Sequence, residues 1–173
     1  MRADRRIITG ANITLICGVV IIASTFMPWM GFEEEGYSVF GPAWEHIDII
    51  RDTEHSTLDY FIDRGFGNMI FTGIIFVIVG ILIILVSIIL LFRRRMAVAT
   101  TLLFLSLIAA FISGANIFSM SNFDIPGTDT KMLVGIGLYI SLAFSILGIV
   151  GYFIVYSGIK GSIILESKLL GPL

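Results

Sequence analysis

The residue types best suited to chemistry are concentrated between positions 31 and 66. His46 and Asp48 stand two apart, Asp52 and His55 three apart, and Asp59 follows four later. On a helix these spacings bring imidazoles and carboxylates within reach of one another, and zinc or copper accepts such ligands. The pattern matches no established ligand spacing, so His46, Asp48, Asp52 and His55 stand as candidate ligands and no metal is assigned. The triplet Glu33, Glu34 and Glu35 would at most screen calcium or sodium loosely. It reads better as a solvated outer acidic patch or a topology determinant. No serine–histidine or cysteine–histidine pairing suggests a nucleophile, and the glycines form no phosphate-cradling loop. Cys17 is the single cysteine, which excludes an intramolecular disulfide and a cysteine-based zinc site. No catalytic residue and no cofactor is expected, and the protein is not expected to be an enzyme.

The elements that must position these residues are set by composition. Of 173 residues, 57% are hydrophobic and 14% charged, against about 45–50% and about 25% in a soluble domain. Too little charge remains to wet the surface of a globule, which excludes an ordinary soluble enzyme, a disordered chain and a nucleic-acid binder. Four apolar runs carry the excess, over about 7–30, 69–92, 96–120 and 132–159. Each reaches the roughly 20 residues that cross a hydrocarbon core. None alternates with period two, so each must be helical in lipid, where no water satisfies the backbone. The expected fold is an all-α, four-transmembrane-helix bundle forming one domain over residues 1–173. The first run follows Arg5 and Arg6 but is too long for a signal-peptide core, and it reads as an anchor.

Charge orients the bundle. Eight basic residues and two acids lie at the amino terminus, the second connection and the carboxyl tail, a net of +6. Three basic residues and eleven acids lie in the other two connections, a net of −8. Positive residues stay cytoplasmic, so both termini are expected inside, in a multi-pass protein of the plasma membrane. Arg93, Arg94 and Arg95 form so short a connection that the second and third helices must be an antiparallel hairpin.

No Asp, Glu, Lys, Arg or His lies within the four runs. Intramembrane ionisable groups mark proton relays and ion pathways, so their absence argues against a pump or proton-coupled transporter built from this chain alone. With both histidines in the outer loop, haem held between two membrane histidines is excluded as well. Small residues instead recur at helical spacing: Gly10, Thr14 and Gly18 in the first run, Gly137, Ser141, Ser145 and Gly148 in the fourth. Such faces let helices approach closely in lipid. They serve either packing within one bundle or docking of a partner subunit or second copy. Asn12 and Asn116 are expected to act as interhelical hydrogen-bond glue.

The first outer connection, 31–66, carries seven aromatic residues among its acids, too many for a disordered linker, and is expected to be ordered. Gly36, Gly41 and Pro42 are expected in turns, and 44–66 in a helix along the membrane surface. Trp29 and Trp44 fit the interfacial aromatic belt. The second outer connection, 121–131, is expected to be turn-like, with a capping Asp or Thr before the fourth helix.

The ordering of short motifs resembles that of small prokaryotic four-transmembrane-helix proteins. The first helix ends in Pro28-Trp29, glycines Gly31 and Gly36 follow, and arginines 93–95 join the middle helices. The fourth helix opens with Val134-Gly135-Ile136-Gly137-Leu138-Tyr139. A looser similarity to claudin-type tetraspans lies in the outer loop and Trp29-Met30-Gly31, without that family's paired loop cysteines. The 31 isoleucines suit an archaeal composition. The resemblance implies a fold and a topology and no particular chemistry. The expected function is that of a structural or accessory subunit, with the lipid bilayer and other subunits or copies of itself as partners and no nucleic acid. The alternative is a homo-oligomeric channel whose acids form an outer ring.

Overall fold

The computed structural model describes residues 2–34, 37–42, 67–121 and 131–170, with side chains over 4–29, 31, 72–121 and 133–164. Four long helices dominate it: α1 (Arg2–Ser24), α2 (Gly67–Phe92), α3 (Met96–Ser121) and α4 (Ile136–Leu170). All four are long and apolar enough to cross a membrane. They form a ring in chain order, closed by α1 against α4. The interior is a seam of buried apolar side chains, among them Ile21, Phe76, Ile83, Leu102, Leu138 and Val155. The outward faces carry isoleucine, leucine and phenylalanine, as lipid-facing surfaces do.

The helix boundaries depart from the apolar runs at two places. The first run was expected to be helical to position 30, but α1 stops at Ser24 and β1 (Pro28–Glu34) takes over. Pro28 lacks an N–H and disfavours helical backbone at the residue before it. Thr25, Phe26 and Met27 donate their N–H groups to the carbonyls three residues back, at 3.1 Å each, which tightens and ends the helix. The fourth run was expected to be helical from 132, but β3 (Lys131–Val134) occupies that stretch. Gly135 then separates strand from helix, and its carbonyl accepts the Leu138 N–H at 3.3 Å. A glycine therefore stands at the cap of α4, in place of the expected Asp or Thr.

Between α1 and α2 the chain forms an antiparallel hairpin, β1 with β2 (Tyr37–Pro42), in which Glu34 pairs with Tyr37. Gly41 and Pro42, expected in a turn, lie in β2 itself. On its other edge β1 pairs antiparallel with β3, giving the strand order β2-β1-β3. A small sheet thus joins the α1–α2 and α3–α4 connections beside the helices. The surface helix expected over 44–66 and the turn expected in 121–131 before Lys131 lie outside the described residues.

Candidate functional site

The most constrained place in the molecule is the junction between this sheet and the helix ends, and Trp29 is its centre. The β1–β2 register skips between Pro28 and Met30, a bulge that leaves Trp29 as the extra residue. Bulges re-aim a side chain out of the pleat. Here the indole turns into the bundle and is 1% exposed. Its Nε1–H donates to the carbonyl of Ser24 at 2.6 Å, a second donor to an oxygen that also accepts the Met27 N–H. Phe76 of α2 meets the ring edge to face, with centroids 5.2 Å apart at 89°. Trp29 is therefore a buried fastener of the protein interior, facing Phe76 and Gly137 and not the outer surface of the bundle.

The fourth helix is shaped to receive it. A Cβ on Gly137 would lie 2.5 Å from Trp29 Cδ1 and 2.7 Å from the Ser24 carbonyl oxygen. At Gly135 a Cβ would collide with the Pro28 carbonyl, while the Gly135 N–H donates to the Trp29 carbonyl at 2.7 Å. Val134 pairs with Met30 one step further along the ladder. The two short motifs that carried the family likeness, Pro28-Trp29 and Val134-Gly135-x-Gly137-Leu138, thus meet in one interlocked contact. Their meeting could not be read from either motif alone.

The small residues of α1 and α4 turn inward. Gly10 and Gly151 mark a close crossing of α1 and α4: a Cβ on Gly10 would lie 2.6 Å from the Gly151 carbonyl oxygen. Gly18 faces Gly80 of α2 in the same manner, and Gly148 sits against Ser106 of α3. Thr14, Ser141 and Ser145 are fully buried. All of Gly10, Thr14, Gly18, Gly137, Ser141, Ser145 and Gly148 are buried among the chain's own helices. The docking of a partner on these stripes has no free surface here, because each close approach is already used inside one bundle.

Two hydroxyl pairs bridge the helices. Thr14 Oγ1 and Ser87 Oγ lie 2.8 Å apart, with Ala11 and Ile83 carbonyls within 2.9 and 2.7 Å of them respectively. Ser113 and Ser141 repeat the arrangement between α3 and α4 at 3.0 Å, over the carbonyls of Ala109 and Leu138. Each pair has two protons for three contacts, so one bond always alternates with another. Interhelical hydroxyl bonds of this kind are worth about 0.6–2 kcal/mol. We therefore expect a double-mutant cycle of Thr14→Val and Ser87→Ala to give a coupling of about 1 kcal/mol; independent additivity would contradict the bridge.

Arg93, Arg94 and Arg95 are exposed in the α2–α3 connection, where the Arg95 carbonyl accepts the Val98 and Ala99 N–H groups and caps α3. Arg94 pairs with Asp4 at the start of α1. Both side chains are 47% exposed, so the pair contributes at most about 1 kcal/mol. At the opposite end, Glu33 and Glu34 stand in β1, and the register sets Glu33 opposite both Ser38 and Lys131. Glu35 and the candidate ligands His46, Asp48, Asp52 and His55 lie outside the described residues. Among the described residues no three His, Cys, Asp or Glu side chains gather as a metal site.

Comparison with protein-family models, curated proteins and solved structures found no match.

Proposed function

We propose that this chain is a non-enzymatic, multi-pass protein of the cell membrane that serves as an accessory subunit, holding an acidic outer docking surface on a rigid four-helix anchor. The observation that carries this is the fastening of the outer sheet to the helix ends through Trp29, Gly135 and Gly137. A sheet fixed in this way presents its strands at a set position above the anchor. Free edges of such strands are sites where a partner chain can add; among the described residues β2 and β3 each pair on one side only.

The division of charge supports the orientation, with arginines 93–95 and both termini cytoplasmic and Glu33, Glu34 and Glu35 outside. The buried small residues confine docking to the outer sheet and the outward helix faces. The lipid bilayer and other membrane subunits or copies are the partners in this account, and the expected mechanism is packing, with no bond made or broken.

Mild-detergent extraction of native membranes carrying the tagged full chain, followed by cross-linking and mass spectrometry, tests the proposal. It expects a membrane protein recovered in constant ratio, with cross-links mapping to 28–42. A monodisperse monomer without cross-links there would overturn it. So would a ring-shaped oligomer that conducts ions in reconstituted bilayers, the outcome expected of a channel.

A further inference from the structure

We infer that the seam between α3 and α4 ends in a binding site for an anionic phospholipid, its headgroup held between Arg95 and Lys160. The inference rests on the membrane-spanning reading above and names one lipid class within it. Two contacts fix the antiparallel register of these helices: Ser113 meets Ser141, and Ser106 meets Gly148. One heptad further on, Ala99 and Val155 are both fully buried and continue the same series. Four residues more set Arg95 level with Ile159, next to Lys160. Arg94 is turned to Asp4 of α1. Arg95 and Lys160 are exposed, and among the described residues neither has an acidic partner.

Two uncompensated cations at one level attract an anion, and what surrounds Lys160 says which kind. Lys160 lies inside the apolar stretch Ile136–Ile164, and Phe153, Tyr156, Ile163 and Ile164 of the same helix are exposed. Successive helical residues turn by about 100°, which gathers these four and Lys160 on one outward face. The exposed apolar face thus runs past the charge on both sides. A soluble phosphate or an acidic peptide would satisfy the charge and leave that face bare. A phospholipid satisfies both, with its phosphate beside the cations and its acyl chains along Phe153. A choline headgroup would bring its own cation back to the pair, so the complement is a headgroup of net negative charge, such as phosphatidylglycerol. Tyr156, one turn from Lys160, suits the same depth, because tyrosine settles where an apolar layer meets a polar one.

The test is native mass spectrometry of the purified full chain, released from detergent micelles that hold equal amounts of dioleoyl-phosphatidylglycerol and dioleoyl-phosphatidylcholine. Phosphatidylglycerol should be the lipid retained. Arg95→Gln or Lys160→Gln should weaken its binding about 5-fold and the double variant about 30-fold, the effect of one and of two cations at a lipid surface. Arg94→Gln removes the same charge from a residue already paired with Asp4 and should leave the preference intact. All three positions are exposed, so each variant should unfold at the wild-type temperature. Excess glycerol phosphate, a headgroup without chains, should displace nothing. Equal retention of the two lipids, or equal losses from Arg94→Gln and Lys160→Gln, would overturn the inference. Displacement by glycerol phosphate would overturn the lipid assignment in favour of a soluble anion. Each of these results leaves the subunit reading standing, whereas release of the chain from membranes by alkaline carbonate would overturn both.

Discussion

Trp29→Ala is expected to destabilise the full chain by about 3–5 kcal/mol, the range for deleting a buried aromatic side chain. The indole is 1% exposed and touches three elements at once: the carbonyl end of α1, Phe76 of α2 and Gly137 of α4. Its removal leaves a cavity that none of the three can fill, since the glycine has no side chain to extend. Ser24 also loses the indole donor to its carbonyl. Trp29→Phe separates the two losses, because it keeps most of the packing and removes only the N–H. It should cost about 0.5–1.5 kcal/mol, because the Ser24 carbonyl keeps the Met27 N–H. The measurement is reversible unfolding in mixed micelles. A Trp29→Ala protein as stable as the wild type would remove the fastener from the account.

The second large effect is expected at the α1–α4 crossing. Alanine is a better helix former than glycine by about 1 kcal/mol, so propensity alone makes Gly10→Ala stabilising. The added Cβ would however lie 2.6 Å from the Gly151 carbonyl oxygen and 2.9 Å from the Val155 N–H nitrogen. Both are backbone atoms that cannot rotate away, so the helices must separate along the most extensive contact in the bundle. Overpacking of this kind costs about 1–3 kcal/mol. We expect Gly10→Ala to be net destabilising and Gly10→Leu to prevent assembly of the bundle. Gly114 provides the control: nothing lies within 4 Å of a Cβ there. Gly114→Ala should be neutral or stabilising. Equal effects at the two glycines, read by the same unfolding measurement, would show that propensity and not the crossing decides.

These two sites also show what could be read before the structure. The four helices were legible because runs of some twenty apolar residues have one solution in lipid. Charge location likewise gave an expected orientation from residues alone. The strands were not legible, because Pro28-Trp29-Met30 and Met132-Leu133-Val134 continue the hydropathy of neighbouring helices. A four-residue strand is too short for period two to stand out. Pro28 is the local signal that α1 ends early, because a proline disfavours helical backbone at the residue before it. The pairing of β1 with β3 joins residues some hundred positions apart, and nothing local encodes it.

A tryptophan near a span end usually lies in the aromatic belt with its ring toward lipid, whereas Trp29 faces the bundle interior. What moves it inward is space, and that space is Gly137, more than a hundred residues later. Small-residue stripes were visible, but spacing cannot say whether the facing helix belongs to the same chain. Only the register, Gly10 to Gly151 and Gly18 to Gly80, decides that. Asn12 shows the same limit in reverse: it is exposed on the outward side of α1, and the sequence marks a polar residue in a helix without saying which way it faces.

The central claim is that one sheet fastens the α1–α2 and α3–α4 connections to each other across the ends of α1 and α4. It is tested most directly by a disulfide between Met30→Cys and Val134→Cys in the full chain with Cys17→Ala. Gly135 donates to the Trp29 carbonyl, which makes the adjoining Met30–Val134 pair one without ladder hydrogen bonds, whose Cα atoms lie about 4.5 Å apart. That separation suits a disulfide. Oxidation in native membranes should close it within a single chain, in nearly every molecule, with a shift in mobility reversed by reductant. Free thiols, or bonds formed only between chains, would contradict both the sheet and the placement of the two connections on one side of the membrane.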